Sequence, residues 1–315
     1  MERQPVSGIL PIRNGANWIP SNLPNILECL DDQDELIIVN DGSEDQTQTM
    51  LMSFQKRQSN LKVINQRATG LVESLNVAIE CSQNEWIARF DIDDKYISTR
   101  LDSQFNYADE STVAVFSDYS FYGNGVKYLG SLPSPIFNIP NRVSLLRSQR
   151  TAHPSAIFRK SAVISQGGYI PTDFPAEDLG LWLRLCHVGK ISSSPEQLLL
   201  YNLRKGSVSH SRRALISDKK HELLQRHFRK SWVIEAAENF EQTLLFYQNY
   251  SECSSRQMLH MYDLLHPLSR SWLGVQKLKG LFSKLQEVSH LYSALDTMSA
   301  LGWQKCKRTI FRNIS

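Results

Sequence analysis

The chain is short of cysteine, of net charge and of long apolar runs, and each shortage excludes something. Its five cysteines are Cys29, Cys81, Cys186, Cys253 and Cys306. They are odd in number, widely spaced and never arranged as CxxC, which argues against a disulfide framework or a cysteine zinc site and fits a reducing compartment. No stretch approaches the about 18 consecutive apolar residues of a membrane-spanning helix. The opening MERQPVSGILPIRNG lacks the apolar core of a secretory signal, so a cytoplasmic location is expected. A formal net charge of +3 is too small to make nucleic acid an expected partner.

What is present describes an ordinary globular chain, 41% hydrophobic and 21% charged, with 315 residues to build one large domain or two smaller ones. The charge is uneven. Residues 211–315 hold sixteen Lys/Arg and nine Asp/Glu, about +7, whereas 1–210 hold nineteen and twenty-three, about −4. This predicts an acidic first domain, 1–212, and a basic second region, 213–315, whose patterning from about Ser217 is helical without a clear strand.

Strands and helices alternate through the first ninety residues. Val6–Ile12 is an apolar run ended by Asn14-Gly15. Trp18–Leu30 has helical spacing. The uninterrupted run Leu36-Ile37-Ile38-Val39 suits a strand buried on both faces of a parallel sheet. Ser43-Glu44-Asp45-Gln46 has the form of an N-cap and capping box opening a helix to about Arg57. Leu61–Ile64 is a third strand, Leu71, Leu75, Ala78 and Ile79 are a helical stripe, and Trp86–Phe90 is a fourth strand. The alternation predicts a doubly wound, mostly parallel α/β sheet, in which ligands bind beyond the carboxyl ends of strands. Further on, Val113–Ser117 and Ala156–Phe158 are expected strands, Gly123-Asn124-Gly125 marks a hairpin, and Glu177–His187 is an expected helix. The segment 131–152 is mixed in pattern.

Acidic residues gather at three of these junctions. Asp91, Asp93 and Asp94 follow the fourth strand directly, as WIARFDIDD. Alternate carboxylates at a strand end suit a hard cation such as Mg²⁺ or Mn²⁺, which takes one or two carboxylates together with diphosphate oxygens. A solvated acidic turn capping the next helix would read the same way. Asn40-Asp41-Gly42-Ser43 offers a carboxylate and a close backbone approach for a base or ribose, or merely a turn before a helix. Glu177-Asp178 at a helix start offers a general base, or acids placed to suit the helix dipole.

The combination is more specific than its parts. PxxN in the first strand, VNDGS, ATGLVESLNVAIECSQNEWIARFDIDD, HPSAIFRKSAVISQGGY and AEDLGLWLR occur in this order across residues 5–210. They resemble glycosyltransferase family 2, the inverting nucleotide-sugar enzymes of GT-A fold. The resemblance implies that Pro11 and Asn14 line the nucleotide pocket, that Asp41 binds the base and that Arg67 lies near the nucleotide. It makes Asp91 and Asp93 the pair that holds ribose and a divalent metal, Mn²⁺ or Mg²⁺, with Asp94 as a third carboxylate. Asp178 becomes the catalytic base with Glu177 beside it. His153 resembles a histidine between the acceptor region and the ED helix. Arg204, Ser207 and Ser209 resemble a segment over the donor phosphates. Arg13, in the first loop, departs from the usual pattern.

The implied reaction is transfer from a nucleotide-diphospho-sugar, most commonly a UDP-sugar, to a glycan or lipid-linked acceptor in surface polysaccharide synthesis. QxxRW, the mark of processive members, is absent, which favours transfer without polymer extrusion. A nucleotidyltransferase would show a Gly-rich basic loop after the first strand, and ILPIRNGANW has none. A degenerate domain kept as a scaffold is the alternative, and loss of the acidic pairs would mark it. The basic amphipathic tail Trp303–Arg312 suits either peripheral contact with an anionic membrane or packing on protein.

Overall fold

The computed structural model describes residues 3–123, 126–132, 151–203 and 213–227. The chain divides into two units, residues 1–227 and 228–315, and the second lies outside the described residues. The first begins as the alternation predicts, with strands β1 (Val6–Ile12), β2 (Glu35–Asp41), β3 (Leu61–Gln66) and β4 (Trp86–Arg89) and helices α1 (Ile19–Leu27), α2 (Thr47–Gln55) and α3 (Leu71–Cys81). The four strands are parallel, in the order β3-β2-β1-β4. Leu36, Ile37, Ile38 and Val39 are fully buried, as a run without polar alternation requires.

The remaining elements are β5 (Lys95–Tyr96), α4 (Arg100–Phe105), β6 (Thr112–Gly123), β7 (Val126–Leu132), β8 (Ile157–Arg159), α5 (Lys160–Ser165), α6 (Glu177–Leu185), β9 (Lys190–Asn202) and α7 (Arg213–His227). The sheet continues β4-β8-β6-β9-β5, with β7 paired to β6 in the expected hairpin. β8 is antiparallel to both neighbours, while β6 and β9 run parallel. The sheet is therefore mixed.

Three details differ from the sequence reading. Helix α2 starts at Thr47 rather than Ser43, because residues 43–45 brace the first loop, while Asp45 Oδ1 also accepts the Thr47 N–H at the helix start. Ser43 Oγ accepts from Asn14 N–H, Asp45 Oδ2 accepts from Ala16 N–H, and Glu44 N–H donates to the Asn14 carboxamide. Strand β9 is not expected from the sequence, because Ser193, Ser194 and Pro195 interrupt the pattern ahead of its apolar run Leu198-Leu199-Leu200-Tyr201. Helix α7, assigned by charge to the basic region, belongs to the first unit. Arg226 on α7 and Arg184 on α6 both donate to the fully buried Asp173, at 2.9 Å each. Gly180 makes this possible, since a Cβ there would stand 2.3 Å from Asp173 Oδ2.

A second buried cation ties the sheet to the acidic turn. Arg100 is fully buried and, among the described residues, has no hydrogen-bonded carboxylate partner. Its Nε donates to Gln104 Oε1 and its two Nη atoms to the carbonyls of Arg89 and Ala156, each at 3.0 Å. Its guanidinium lies 4.7 Å above the Phe90 ring and 5.0 Å above Tyr96, and these aromatic faces attract the charge. Removing it would take a donor from Gln104 Oε1 and from two buried carbonyls, of which that of Ala156 keeps the Arg89 N–H. Arg100→Met should therefore lower unfolding stability by about 3 kcal/mol, as read from the urea midpoint at unchanged slope.

Candidate active site

The site lies along one edge of the sheet. β2, β1 and β4 are parallel neighbours, so Asp41, the loop after Ile12 and the DIDD turn emerge side by side. This edge is where ligands bind in open α/β sheets.

Period-two alternation continues past β4. Ile92, Asp94 and Tyr96 are buried, whereas Asp91 and Asp93 are half-exposed on the other face. Three constraints hold the turn. Asp91 N–H donates to Tyr96 Oη at 2.7 Å, Tyr122 Oη donates to the Asp93 carbonyl at 2.9 Å, and Asp94 Oδ1 accepts Asn202 N–H at 2.8 Å. Asp94 is 2% exposed, and burial, followed by the charges of Asp91 and Asp93, pushes its carboxyl well above the usual range. It faces the protein as a brace between the turn and β9, not the open face that Asp91 and Asp93 share. Asp91 is held from below by Arg89, whose Nη2 lies 2.5 Å from Asp91 Oδ1.

The nucleotide-side residues are more engaged than the sequence suggests. Asp41 is 5% exposed and accepts from Gln66 Nε2, Thr69 N–H and Gly70 N–H. Burial raises its carboxyl, but these donors outweigh it and the net shift is downward. Asp41 thus fixes the 66–70 loop that presents the exposed Arg67. Gly42, at φ +63°, keeps the turn against that loop, since a Cβ there would stand 2.6 Å from Ala68 N. Pro11 is buried opposite Val39, and Asn14, at φ +54°, spends its carboxamide oxygen on Glu44 N–H.

The ED acids open α6. Glu177 is 6% exposed, and burial with the neighbouring Asp178 charge raises its carboxyl to about 7. Asp178 is half-buried and also raised, chiefly by burial, with Lys220 on α7 and Leu179 N–H acting the other way. Asp91 adds to the push on Glu177, so the acids after β4 and the acids of α6 lie within electrostatic reach. His153 joins them. Its Nε2 lies 2.7 Å from Tyr169 Oη and its ring meets Trp182 edge-on at 5.9 Å. Burial and the Arg89 charge hold the imidazole neutral. Arg204, Ser207 and Ser209 lie outside the described residues.

Sequence reasoning missed Arg89, Tyr96, Tyr122, Tyr169 and Lys220. Arg89 had a visible signal, a charge inside an apolar strand. The others are brought in by tertiary contacts alone. Among the described residues no group of three or more His, Cys, Asp or Glu could hold a metal. Asp91 and Asp93 supply two hard oxygen donors on one half-exposed face, a set that fits a divalent cation whose other ligands are substrate oxygens.

A curled mixed sheet with acids at the end of its fourth strand, facing a helix that opens on two more, defines the GT-A class of sugar-transferring folds. Residues 7–166 match the family described as Glycosyl transferase family 2, and the chain belongs to that family. It is 25% identical over 217 residues to the O-antigen biosynthesis glycosyltransferase WbnJ of Escherichia coli, across 65% of this chain and 82% of that protein. It is 24% identical over 202 residues to an uncharacterized glycosyltransferase of Rickettsia bellii, spanning 63% of this chain but only 29% of that one. Among solved structures, S. aureus TarS 1–349 in complex with UDP-GlcNAc matches with a TM-score of 0.58 at 18% identity, over 86% of this chain and 81% of that one. The mannosyltransferase PcManGT of Pyrobaculum calidifontis, in complex with GDP-Man and Mn2+, matches at 0.52 and 17%, over 100% and 80%. These likenesses in structure establish the fold.

The raised ED pair carries a kinetic signature. With Asp178 as the base, kcat/KM should climb with pH through a carboxylate pKa that burial holds above the usual range, and level off above it. Glu177→Gln, which removes the neighbouring like charge, should move that rise to lower pH. A profile flat from pH 5 to 8 in the wild type would contradict the assignment.

Proposed function

We propose that this protein transfers a sugar from a nucleotide-diphospho-sugar to a hydroxyl of a glycan or lipid-linked acceptor, with inversion and without processive extension. The observation that carries this reading is the meeting of two acid clusters, Asp91/Asp93 and Glu177/Asp178, within one site of a family 2 chain.

The roles follow from placement. Asp91 and Asp93 face the donor, and a divalent cation bound there supplies the positive charge that offsets what accumulates on the departing diphosphate. Arg67, exposed beside Asp41, contacts the nucleotide. Asp178 takes the proton of the acceptor hydroxyl as that oxygen attacks the anomeric carbon, and its raised pKa makes it a stronger base. Attack opposite the leaving diphosphate in one displacement inverts the anomeric centre. His153, held neutral against Tyr169, supports the wall between the two acid clusters.

The donor class is supported by the UDP-GlcNAc and GDP-Man complexes of the structural neighbours, and the metal by the Mn2+ of one of them. The name of the E. coli relative supports a place in surface polysaccharide synthesis. No described helix is long and apolar enough to cross a membrane.

Calorimetric titration with UDP, GDP, dTDP and CDP, each with and without Mn²⁺, tests the donor site. One nucleotide should bind with an affinity that Mn²⁺ strengthens, and Asp93→Ala should abolish the strengthening. Failure of every nucleotide to bind would return the chain to the scaffold alternative.

A further inference from the structure

Arg89 is an interior cation that the packing of its strand does not call for. Its neighbours in β4 are Trp86, Ile87 and Ala88, followed by Phe90, and all are buried. The side chain is 2% exposed. Nη2 donates to Asp91 Oδ1 at 2.5 Å and Nη1 donates to the Phe90 carbonyl. Among the described residues Nε has no hydrogen-bond partner. The contrast with Arg100 is instructive. Every guanidinium nitrogen of Arg100 donates to a carbonyl or a glutamine, which makes it a brace, whereas among the described residues Arg89 has one nitrogen without a partner and directs another at an acid of the candidate site. Local rules of core packing are broken chiefly where a site requires it. The Arg89 charge also acts on Tyr169, His153, Glu177 and Asp178, which places it between the two halves of the site.

We propose that Arg89 is a positioning residue of the transfer reaction, a buried guanidinium that fixes the Asp91 carboxylate in the orientation the nucleotide and its cation require. It acts through Asp91 and touches no substrate. The reason is electrostatic and geometric together. Asp91 shares its turn with Asp93 and Asp94, and like charges this close favour any rotamer that separates them. A guanidinium anchored on the Phe90 carbonyl and pointing at Oδ1 holds the carboxylate against that repulsion. The planar fork can make both contacts at once, and a lysine ammonium, a single point charge, does so poorly.

The proposal rests on the donor-site reading above, and one experiment separates their failures. Wild type, Arg89→Lys, Asp91→Asn and the double variant Arg89→Met/Asp91→Asn are titrated with UDP and with GDP, with and without Mn²⁺, and their melting temperatures recorded. Arg89→Lys, which keeps the buried charge, should fold and lose about tenfold or more of the Mn²⁺-dependent affinity, the usual cost of removing a partner that orients a metal-binding carboxylate. Its metal-free affinity should stay within about twofold of wild type, a split that a general loss of structure would not produce. The double variant should lose no more than Asp91→Asn alone, because Arg89 acts through Asp91. It also leaves neither charge buried without its partner, so it carries the comparison if Arg89→Lys fails to fold. Wild-type affinity in a folded Arg89→Lys, or losses that add in the double variant, would overturn the proposal. If the wild type itself binds neither of these, nor dTDP nor CDP, the donor-site reading falls and takes this one with it.

Discussion

Negative charge crowded at the carboxyl end of β4 is the constraint around which this protein is organised. Asp91, Asp93 and Asp94 leave the strand within four residues, and Glu177 with Asp178 faces them from α6. Left in water, such a cluster would disperse. Here each acid meets a different solution. Asp94 is drawn inside and anchored on Asn202 N–H, Asp91 is paired with Arg89, and the DIDD turn is pinned from both sides by Tyr96 and Tyr122. Arg100 then secures the backbone just before the turn by gripping the Arg89 carbonyl. What remains half-exposed is a carboxylate face suited to a cation and a diphosphate.

The same charge shapes the second half of the site. Burial raises Asp178, and burial with the Asp178 charge raises Glu177, so the helix start carries two carboxyls more basic than usual. The helix cannot drift to relieve this repulsion. Asp173, buried beneath it, is bound by Arg184 from α6 and Arg226 from α7, and Gly180 lets the backbone sit directly on that carboxylate. Helix α7 thereby becomes part of the catalytic unit and brings Lys220 near Asp178, although the family match ends at residue 166.

Legibility followed the range of the interactions. The parallel strands β1 to β4 and their helices were readable because apolar runs, Asn-Gly and Asp-Gly turns and helical stripes are local signals. The exposed alternation of Asp91 and Asp93 was readable for the same reason. The same alternation turns Asp94 inward, and what the sequence does not show is its partner there, Asn202 N–H, over a hundred residues away. Ser43–Gln46 looked like a capping box, yet Ser43, Glu44 and Asp45 bond a loop about thirty residues earlier, and only Asp45 also meets the first N–H of the helix. Asp41 looked like a free ligand and is instead occupied by the loop from Gln66 to Gly70. Local pattern placed the acids on the correct edge of the sheet, and long-range hydrogen bonds decided their partners.

The central claim is that the acids of β4 bind the donor while Asp178 performs the proton transfer in the same site. The most direct measurement separates these two roles in one variant. Asp178→Asn, offered the nucleotide-sugar and Mn²⁺ that the wild type uses, should bind the nucleotide within about twofold of wild-type affinity while kcat falls by about a hundredfold or more. Turnover at the wild-type rate in that variant would place the base elsewhere and contradict the account.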